Sequence, residues 1–564
     1  MPLKNPVDSR QYGVGSRKSY SLLLTVYCLL FSAYREPRRV HGHTMYHRGS
    51  WQAMHPTWCM AACCLLLTAF CYHTPLLGEE SAPNQHGPGL ALNQNGSGLA
   101  QQLLPLLSPN TLKGASVGIS VVRLSDKTPL FRHNSRELFT VASNMKLFTT
   151  ASALDYLGAQ YQFKTRVFYR GEIDPKGRLL GDIIVRGGGD PNISGRFNGG
   201  KVTAVLEDWA EVVLQAGIKE IGGDIVADAS FFDKEWIHPG WPKDQLLSWY
   251  CAPTSALSLN DNCVDVILQP GKNGRAEMEL EPGGGYLKVV NSCKVSDNLK
   301  KARVHVNRDP DSGEICVKGE IPQGRKSPKY SVSVPVDNPP LFLASVFREV
   351  LGKKGIKVSG QPRLLGAEES DQTTWKLLKC TTSTMAQAVT VANTKSHNFY
   401  AEQILKTVGA EVRGEGSRPA GLEVIKELMF KLGYEPREYQ VEDGSGLCRE
   451  NRFSPEMITD LLVFMYQHKE SETFVSSLPV SGIKGSLHKR LKGPSCMGRV
   501  KAKTGYISKV CALSGYVETQ GGDTLAFSIL VNDFKVAPAH VKEFQDSICR
   551  VLAGYGNGNG NRKM

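Results

Sequence analysis

The sequence predicts an α/β protein in which one α/β domain is split by a long β-rich insertion, and three patterns carry that prediction. Val141, Met145, Phe148, Ala151 and Leu154 recur at helical spacing and stop at Gly158, the signature of a helix with an apolar face and a terminator. From about Thr165 to Gly366 the chain changes to short strand-like runs with few long helices, broken by glycines at 187–189, 222–223 and 283–285. Helical patterns return from Thr382, and strand-like Val510 to Val517 and Thr524 to Asn532 lead into a final helix, Ala537 to Leu552. A β-rich middle between two mixed ends reads as one layered domain with an insertion. The 564 residues, 41% hydrophobic and 21% charged, suffice for more than one core.

In chain order, residues 1–100 read as an export and linker region. There are two short apolar runs, Tyr20 to Tyr34 and Trp58 to Tyr72; the latter has the character of the apolar core of an export signal, and a polar linker from Glu79 to Gly98 follows it. Met45 or Met54 would then be the start, and an uncleaved membrane anchor is the alternative. Residues 101–165 open the α/β domain, with a hairpin of Ala115 to Leu124 and Pro129 to His133 around Ser125-Asp126-Lys127. The insertion spans 166–365, the second part of the domain 366–553, and 554–564 form a low-complexity tail. The glycine clusters lack the lysine and strand-to-helix setting of a phosphate loop and read as turns. Nine cysteines follow residue 72 without metal spacing, so they read as small core residues with at most a few bridges. A net charge of +13 is spread without a basic block, and no zinc-finger or RNA-binding signature appears, which sets nucleic acid aside.

The chemistry-bearing stretch is the helix at 139–158. Ser143 and Lys146 are three apart and share a helical face. A serine becomes a nucleophile when a base takes its proton, and a lysine among apolar side chains loses part of its preference for charge. If Ser143 opens the helix, the N-terminal dipole favours an oxyanion there. Ser481-Gly-Ile-Lys484 repeats the pattern among Pro479, Gly482 and Gly485, where no helix would hold the pair together. Lys503-Thr504-Gly505 occurs once, beside a strand, and offers an ammonium and a hydroxyl to a carboxylate. Among four Ser-x-Asn matches, only Ser396-His397-Asn398 lies between two helical patterns, Met385 to Val391 and Phe399 to Val408. The literal Ser-Asp-Asn at Ser296 to Asn298 falls inside the insertion and reads as a decoy.

With Ser-x-x-Lys, Ser-x-Asn and Lys-Thr-Gly in order, the chain resembles the penicillin-recognising serine acyltransferases. More narrowly it looks like the D-alanyl-D-alanine carboxypeptidase/endopeptidases called class C penicillin-binding proteins, whose long separation of the first two motifs it shares. Flanking segments such as Gly188-Gly-Asp-Pro191, Asp443-Gly-Ser-Gly-Leu447 with Arg449 and Asn451, and Leu478-Pro-Val-Ser-Gly482 also look like family signatures. The resemblance implies a penicillin-binding/β-lactamase-like domain, an antiparallel sheet flanked by helices. It implies attack by Ser143 on the penultimate D-alanine carbonyl, with Lys146 as base and Ser396 relaying a proton beside Lys503. Asn398 would hold the substrate amide oxygen, Lys503, Thr504 and Gly505 the carboxylate side, and the backbone N–H groups of Ser143 and Tyr506 the oxyanion. Peptidoglycan stem peptides as substrates, β-lactams as covalent inhibitors, an envelope location and no metal or cofactor follow from the same resemblance. A β-lactamase or esterase, and a non-catalytic binding module, are the alternatives.

Two positions depart from the pattern: Tyr506 stands where such enzymes commonly carry Thr or Ser, and His397 is expected to be an exposed spacer. Trp241-Pro-Lys-Asp244 looks like the segment that lines the acyl-donor pocket in related enzymes, and Arg449 like its cationic partner. Asp244 and Arg449 would suit a zwitterionic side chain; the alternative puts Trp241 in the insertion core and Asp244 in a solvated turn.

Overall fold

The computed structural model describes residues 98–556 apart from 109–111, 284, 300, 310–312, 324–328 and 370. The expected export region before residue 98 and the tail beyond 556 lie outside the described residues. Among the described residues no helix is long and apolar enough to cross a membrane.

A five-stranded antiparallel sheet organises the site, in the order Val500–Ile507, Val510–Glu518, Thr524–Asn532, Ser116–Arg123 and Pro129–His133. The expected hairpin forms its far edge, and the Lys-Thr-Gly strand forms the near one. Strand Val510–Glu518 is buried at eight consecutive positions, because helices cover both faces of the sheet. Side chains alternate across a strand. Ala512 and Tyr516 therefore join the core under helix Met145–Tyr156, while Cys511, Leu513 and Val517 pack with Val541, Phe544 and Ile548 of the C-terminal helix Pro538–Gly554. A continuous apolar run is what such a doubly covered strand requires.

Helix Met145–Tyr156 is itself buried along Met145 to Leu154. Helices Met385–Thr394, Asn398–Arg413, Arg418–Lys431 and Pro455–Gln467 share its core. Their starts follow local chemistry, since Thr384, Ser417 and Ser454 each accept a backbone N–H in the first turn. Gly414, at φ 74°, ends Asn398–Arg413 in the left-handed conformation.

The inserted region is built on a seven-stranded sheet and two three-stranded ones. Strand Gln162–Ile173 crosses the expected boundary at 165/166, and it pairs with Trp375–Thr384, beyond the expected end at 365. Two helices, Ala204–Gln215 and Pro339–Lys353, pack against the larger sheet through Trp209 and Phe347, whose rings meet edge to face at 5.5 Å. Two such helices are in keeping with the expectation of few long helices, which did not say where they lie. The 187–189 cluster is also more than a turn. A Cβ on Gly187 would lie 2.1 Å from the Ala256 carbonyl oxygen, and one on Gly188 2.4 Å from that of Lys164; bare backbone lets three segments cross there. All nine cysteines after residue 72 are free, seven of them buried.

Candidate active site

Ser143 sits in a short 3-10 turn, Ala142–Asn144, that runs directly into helix Met145–Tyr156. The turn is held from three sides. Phe139–Thr140 pairs with Arg452–Phe453, Val141 N–H donates to the Asn451 carbonyl at 3.3 Å, and Gly446 closes over Ala142, where a Cβ would fall 1.8 Å from the Ala142 oxygen. Ala142 adopts φ 46°, a conformation unfavourable for a residue with a Cβ and maintained by this packing. Gly505 of the edge strand approaches from the other side, and a Cβ on it would stand 3.2 Å from Ser143 N and 2.9 Å from the Val141 oxygen. The glycine of Lys-Thr-Gly is thus what lets the strand come up against the serine's amide.

Lys146 is fully buried, and all three of its N–H bonds have acceptors. Its Nζ donates to Ser143 Oγ at 3.1 Å, to Asn398 Oδ1 at 2.7 Å and to the Ser445 carbonyl at 2.6 Å. Burial drives its pKa down to about 7, against the opposing pull of the Asp443 and Glu402 carboxylates. Glu402 is pushed up to about 7 by burial and by Asp443. Asp443 accepts from Gly446 N, Cys448 N, Asn451 Nδ2 and Trp241 Nε1 at 2.7–2.9 Å. These bonds shape the loop that aims the Ser445 carbonyl at Lys146.

Ser396 occupies the corner between helices Met385–Thr394 and Asn398–Arg413 with φ 58°. Fully buried Lys503 donates to Ser396 Oγ at 2.7 Å and to the Thr504 carbonyl at 2.8 Å. Burial and the neighbouring Lys146 charge both push its pKa well below the usual lysine value. Asn398 Nδ2 donates to the Tyr250 carbonyl at 2.9 Å, which turns its Oδ1 toward Lys146. Thr504 Oγ1 and Ser486 Oγ share a 2.6 Å hydrogen bond. Tyr506 is 51% exposed and lies under the Lys542 ammonium, 5.3 Å from the ring centroid. The structure therefore gathers Ser143, Lys146, Ser396, Asn398, Lys503, Thr504 and Gly505 in one place, with Tyr506 the next residue along the edge strand.

The other matches stay apart from it. Ser481 is buried and donates to the Cys496 carbonyl, whereas Lys484 donates to the Ser476 carbonyl. Ser296 ends the strand Val289–Ser296 in the insertion.

His397 corrects the sequence reading. It is no exposed spacer but 6% exposed, with Nε2 3.0 Å from Asp261 Oδ2. Arg196 holds the same Asp261 carboxylate, and Trp249 and Tyr400 stand edge-on to the imidazole at 5.2 and 5.1 Å. With Ser396 and Asn398 facing the cleft, the residue between them points back into the insertion.

Trp241 is 3% exposed and donates its indole N–H to Asp443 Oδ2 at 2.9 Å, packed with Cys251 and Cys448. Asp244 is exposed in the turn Lys243–Gln245. Arg449 is also exposed, and its Nη1 donates to the Ser508 carbonyl at 2.9 Å. Sequence reasoning missed the carbonyls of Ser445 and Tyr250, which leave no trace in residue type. It also missed Ser486 and Asp261, which only the folded chain brings alongside the motifs. Among the described residues no group of three or more His, Cys, Asp or Glu side chains is placed to hold a metal ion.

A serine hydroxyl on a buried amine whose pKa is brought down to about 7, next to a second buried amine and a hydroxyl relay, is equipped for acyl transfer. Comparison with known proteins agrees with that chemistry. Residues 99–555 match the D-Ala-D-Ala carboxypeptidase 3 (S13) family. The chain is 31% identical over 470 residues to a D-alanyl-D-alanine carboxypeptidase of Actinomadura sp. (strain R39), covering 81% of this chain and 85% of the relative. It is 24% identical over 466 residues to a penicillin-sensitive carboxypeptidase A of Dictyostelium discoideum, covering 76% and 84%. The crystal structure of penicillin binding protein 4 from Haemophilus influenzae shares the fold, with a TM-score of 0.68 and 24% identity over 80% of this chain and 99% of that one. The chain belongs to the D-Ala-D-Ala carboxypeptidase 3 (S13) family.

Proposed function

We propose that this protein is a serine D-Ala-D-Ala carboxypeptidase that processes peptidoglycan stem peptides through an acyl-enzyme on Ser143 and is inhibited covalently by β-lactams. One observation carries the reading: the buried Lys146 amine, 3.1 Å from Ser143 Oγ, has its pKa brought down to about 7. Near neutrality much of it is uncharged and able to take the serine proton. Ser143 then attacks the penultimate D-alanine carbonyl, and its own N–H with that of Tyr506 receives the oxyanion. Backbone donors make the side chain at Tyr506 indifferent to this step. Ser396, hydrogen-bonded to Lys503, passes a proton to the leaving amine; Lys503 and Thr504 hold the leaving residue's carboxylate, and Asn398 the substrate amide oxygen. Water hydrolyses the ester.

The envelope location rests on the apolar run at Trp58 to Tyr72, as cleaved signal or membrane anchor. The shared sheet supports an insertion running from 162 to 384, between the two parts of the catalytic domain.

The test is mass spectrometry of the penicillin-treated protein as a function of pH. The adduct is expected on Ser143, with one equivalent bound. Because the base acts when neutral, the acylation rate should level off above about pH 7 and fall about tenfold per unit below it. Glu402, also near 7, takes up its proton in the same range, so the observed midpoint belongs to the pair. An adduct elsewhere, or a rate flat from pH 5 to 8, refutes the assignment.

The pocket for the acyl donor's side chain is assigned to Trp241, Asp244 and Arg449. Trp241 packs against Cys448, the chain neighbour of Arg449, which supports both charged groups bordering one pocket. A side chain ending in an ammonium and a carboxylate then meets Asp244 and Arg449. Asp244→Ala should cut kcat/KM about three- to fivefold for zwitterion-bearing D-Ala-D-Ala peptides and leave acetyl-capped ones alone, the scale of an exposed ion pair. Unchanged ratios move the pocket elsewhere.

A further inference from the structure

A cavity of about 510 Å³ lies where the insertion meets His397, and its charged and aromatic lining consists of Arg196, Trp249, Asp261, Asp265, Glu281 and His397. None of the residues assigned above to the nucleophile, the proton relay or substrate binding lines it. Its balance is acidic. Three carboxylates face one guanidinium, and that guanidinium is already taken by Asp261, on which His397 also rests. Asp265 and Glu281 are left over. They stand directly opposite each other where strand Cys263–Pro270 pairs with Ala276–Glu281, an arrangement of like charges that costs stability. Asp265 accepts only from uncharged donors, Ser333 Oγ and Asn260 Nδ2. Among the described residues the Glu281 carboxylate has no hydrogen-bond or ion-pair partner.

Two buried atoms of the lining point independently to a ligand. Asp261 Oδ1 and His397 Nδ1, the latter in a side chain only 7% exposed, have no hydrogen-bond partner among the described residues, although buried polar atoms are ordinarily paired. His397 Nε2 meets Asp261 Oδ2 at 3.0 Å, and a neutral imidazole that donates there presents Nδ1 as an acceptor. Both unpaired atoms are then acceptors, as is Glu281. Trp249, 43% exposed, adds an open indole 5.2 Å from the imidazole, and an indole face attracts a cation. The lining therefore suits a positively charged donor with a body that covers the ring. A bare metal ion does not suit it, since among the described residues no group of three or more His, Cys, Asp or Glu side chains is placed to hold one.

We infer that this cavity binds an organic cation, a primary ammonium carried on an aliphatic or sugar body. The ammonium sits between Asp265 and Glu281, where it offsets the cross-strand repulsion, and the body lies on Trp249. A primary ammonium brings three donors, enough for both carboxylates and one of the unpaired acceptors. The site is separate from the pocket assigned to the acyl donor, because neither Asp244 nor Arg449 lines it. It also holds whether or not Ser143 is the nucleophile.

The experiment is calorimetric titration of the full chain with two matched pairs, 1,4-diaminobutane against 1,4-butanediol and glucosamine against N-acetylglucosamine. Each pair keeps the body and removes the charge. At least one amine is expected to bind with its uncharged counterpart silent, and the amine that binds distinguishes a free aliphatic amine from an amino sugar as the source. Glu281→Gln should weaken that binding on the order of fivefold, the scale of one exposed ion pair, and Trp249→Ala should weaken it as well. Glu281→Gln should also keep the wild-type rate of penicillin labelling, which shows that the variant is folded. No binding of either amine, equal binding of an uncharged counterpart, or an affinity untouched by both substitutions overturns the site. Labelling of Ser143 is read separately on the same protein, so the failure of this site and the failure of the carboxypeptidase reading give different results.

Discussion

Replacing Lys146 by methionine is expected to lower the rate of Ser143 acylation by about 10⁴, the upper end of what one acid–base group contributes. The substitution keeps most of the side chain's volume and removes only the amine, so helix Met145–Tyr156 retains its packing. Two effects combine. Ser143 loses its hydrogen-bonded base, and Asn398 loses the donor that fixes its Oδ1. The Ser445 carbonyl, buried on Lys146 Nζ, is also left unsatisfied, at about 1–3 kcal/mol. Removing a cation from beside Asp443 and Glu402 works in the same direction, since Glu402 stays protonated to still higher pH without it. Thermal unfolding should therefore shift modestly while penicillin labelling all but disappears. The measurement is the rate of adduct formation on intact, folded protein, with Ser143→Ala as the zero. A Lys146→Met protein that acylates within tenfold of the wild-type rate would remove Lys146 from the mechanism.

The extent to which this site was legible in the sequence depends on how local each signal is. Ser143 and Lys146 lie within one helical turn, so spacing alone places them together. Ser481 and Lys484 have identical spacing yet part company, since the glycines and proline around them deny a shared helix and each side chain finds a backbone carbonyl instead. The helices before and after Ser396 likewise single it out from three other Ser-x-Asn matches. What failed was tertiary. His397 reads as a polar spacer because its partners, Arg196, Trp249 and Asp261, come from a segment more than a hundred residues upstream. The start of the insertion's sheet at Gln162 was hidden for a similar reason, as strand pairing between Gln162–Ile173 and Trp375–Thr384 spans the whole insertion.

These tertiary contacts give the insertion a part in the chemistry. Its Tyr250 carbonyl orients Asn398, its Asp261 anchors the imidazole between Ser396 and Asn398, and its Trp241 bonds the aspartate that shapes the Ser445 loop. The first two contacts hold side chains of the second motif, and the third acts on the loop whose Ser445 carbonyl meets Lys146. A left-handed Ser396 is costly when isolated, and the anchored neighbour holds it in place.

Ser396→Ala is expected to slow penicillin acylation by about 10²–10³, whereas Ser296→Ala should leave it unchanged. Both positions begin a Ser-x-Asn triplet, so the pair separates motif from geometry. Ser396 Oγ accepts the Lys503 ammonium's hydrogen bond at 2.7 Å, and its loss leaves that fully buried amine with the Thr504 carbonyl alone. Alanine keeps the Cβ, so the φ of 58° costs no more than it does for serine, and a fall in rate reports the hydroxyl. Ser296 ends a strand in a three-stranded sheet of the insertion. Its carbonyl, which alanine retains, accepts the Gln323 amide at 3.0 Å, so the fold should lose nothing. Stopped-flow acylation with a chromogenic β-lactam measures both variants under one condition. Equal rates for the two, or the larger loss at Ser296, would mean that the proton reaches the leaving nitrogen by a route other than Ser396.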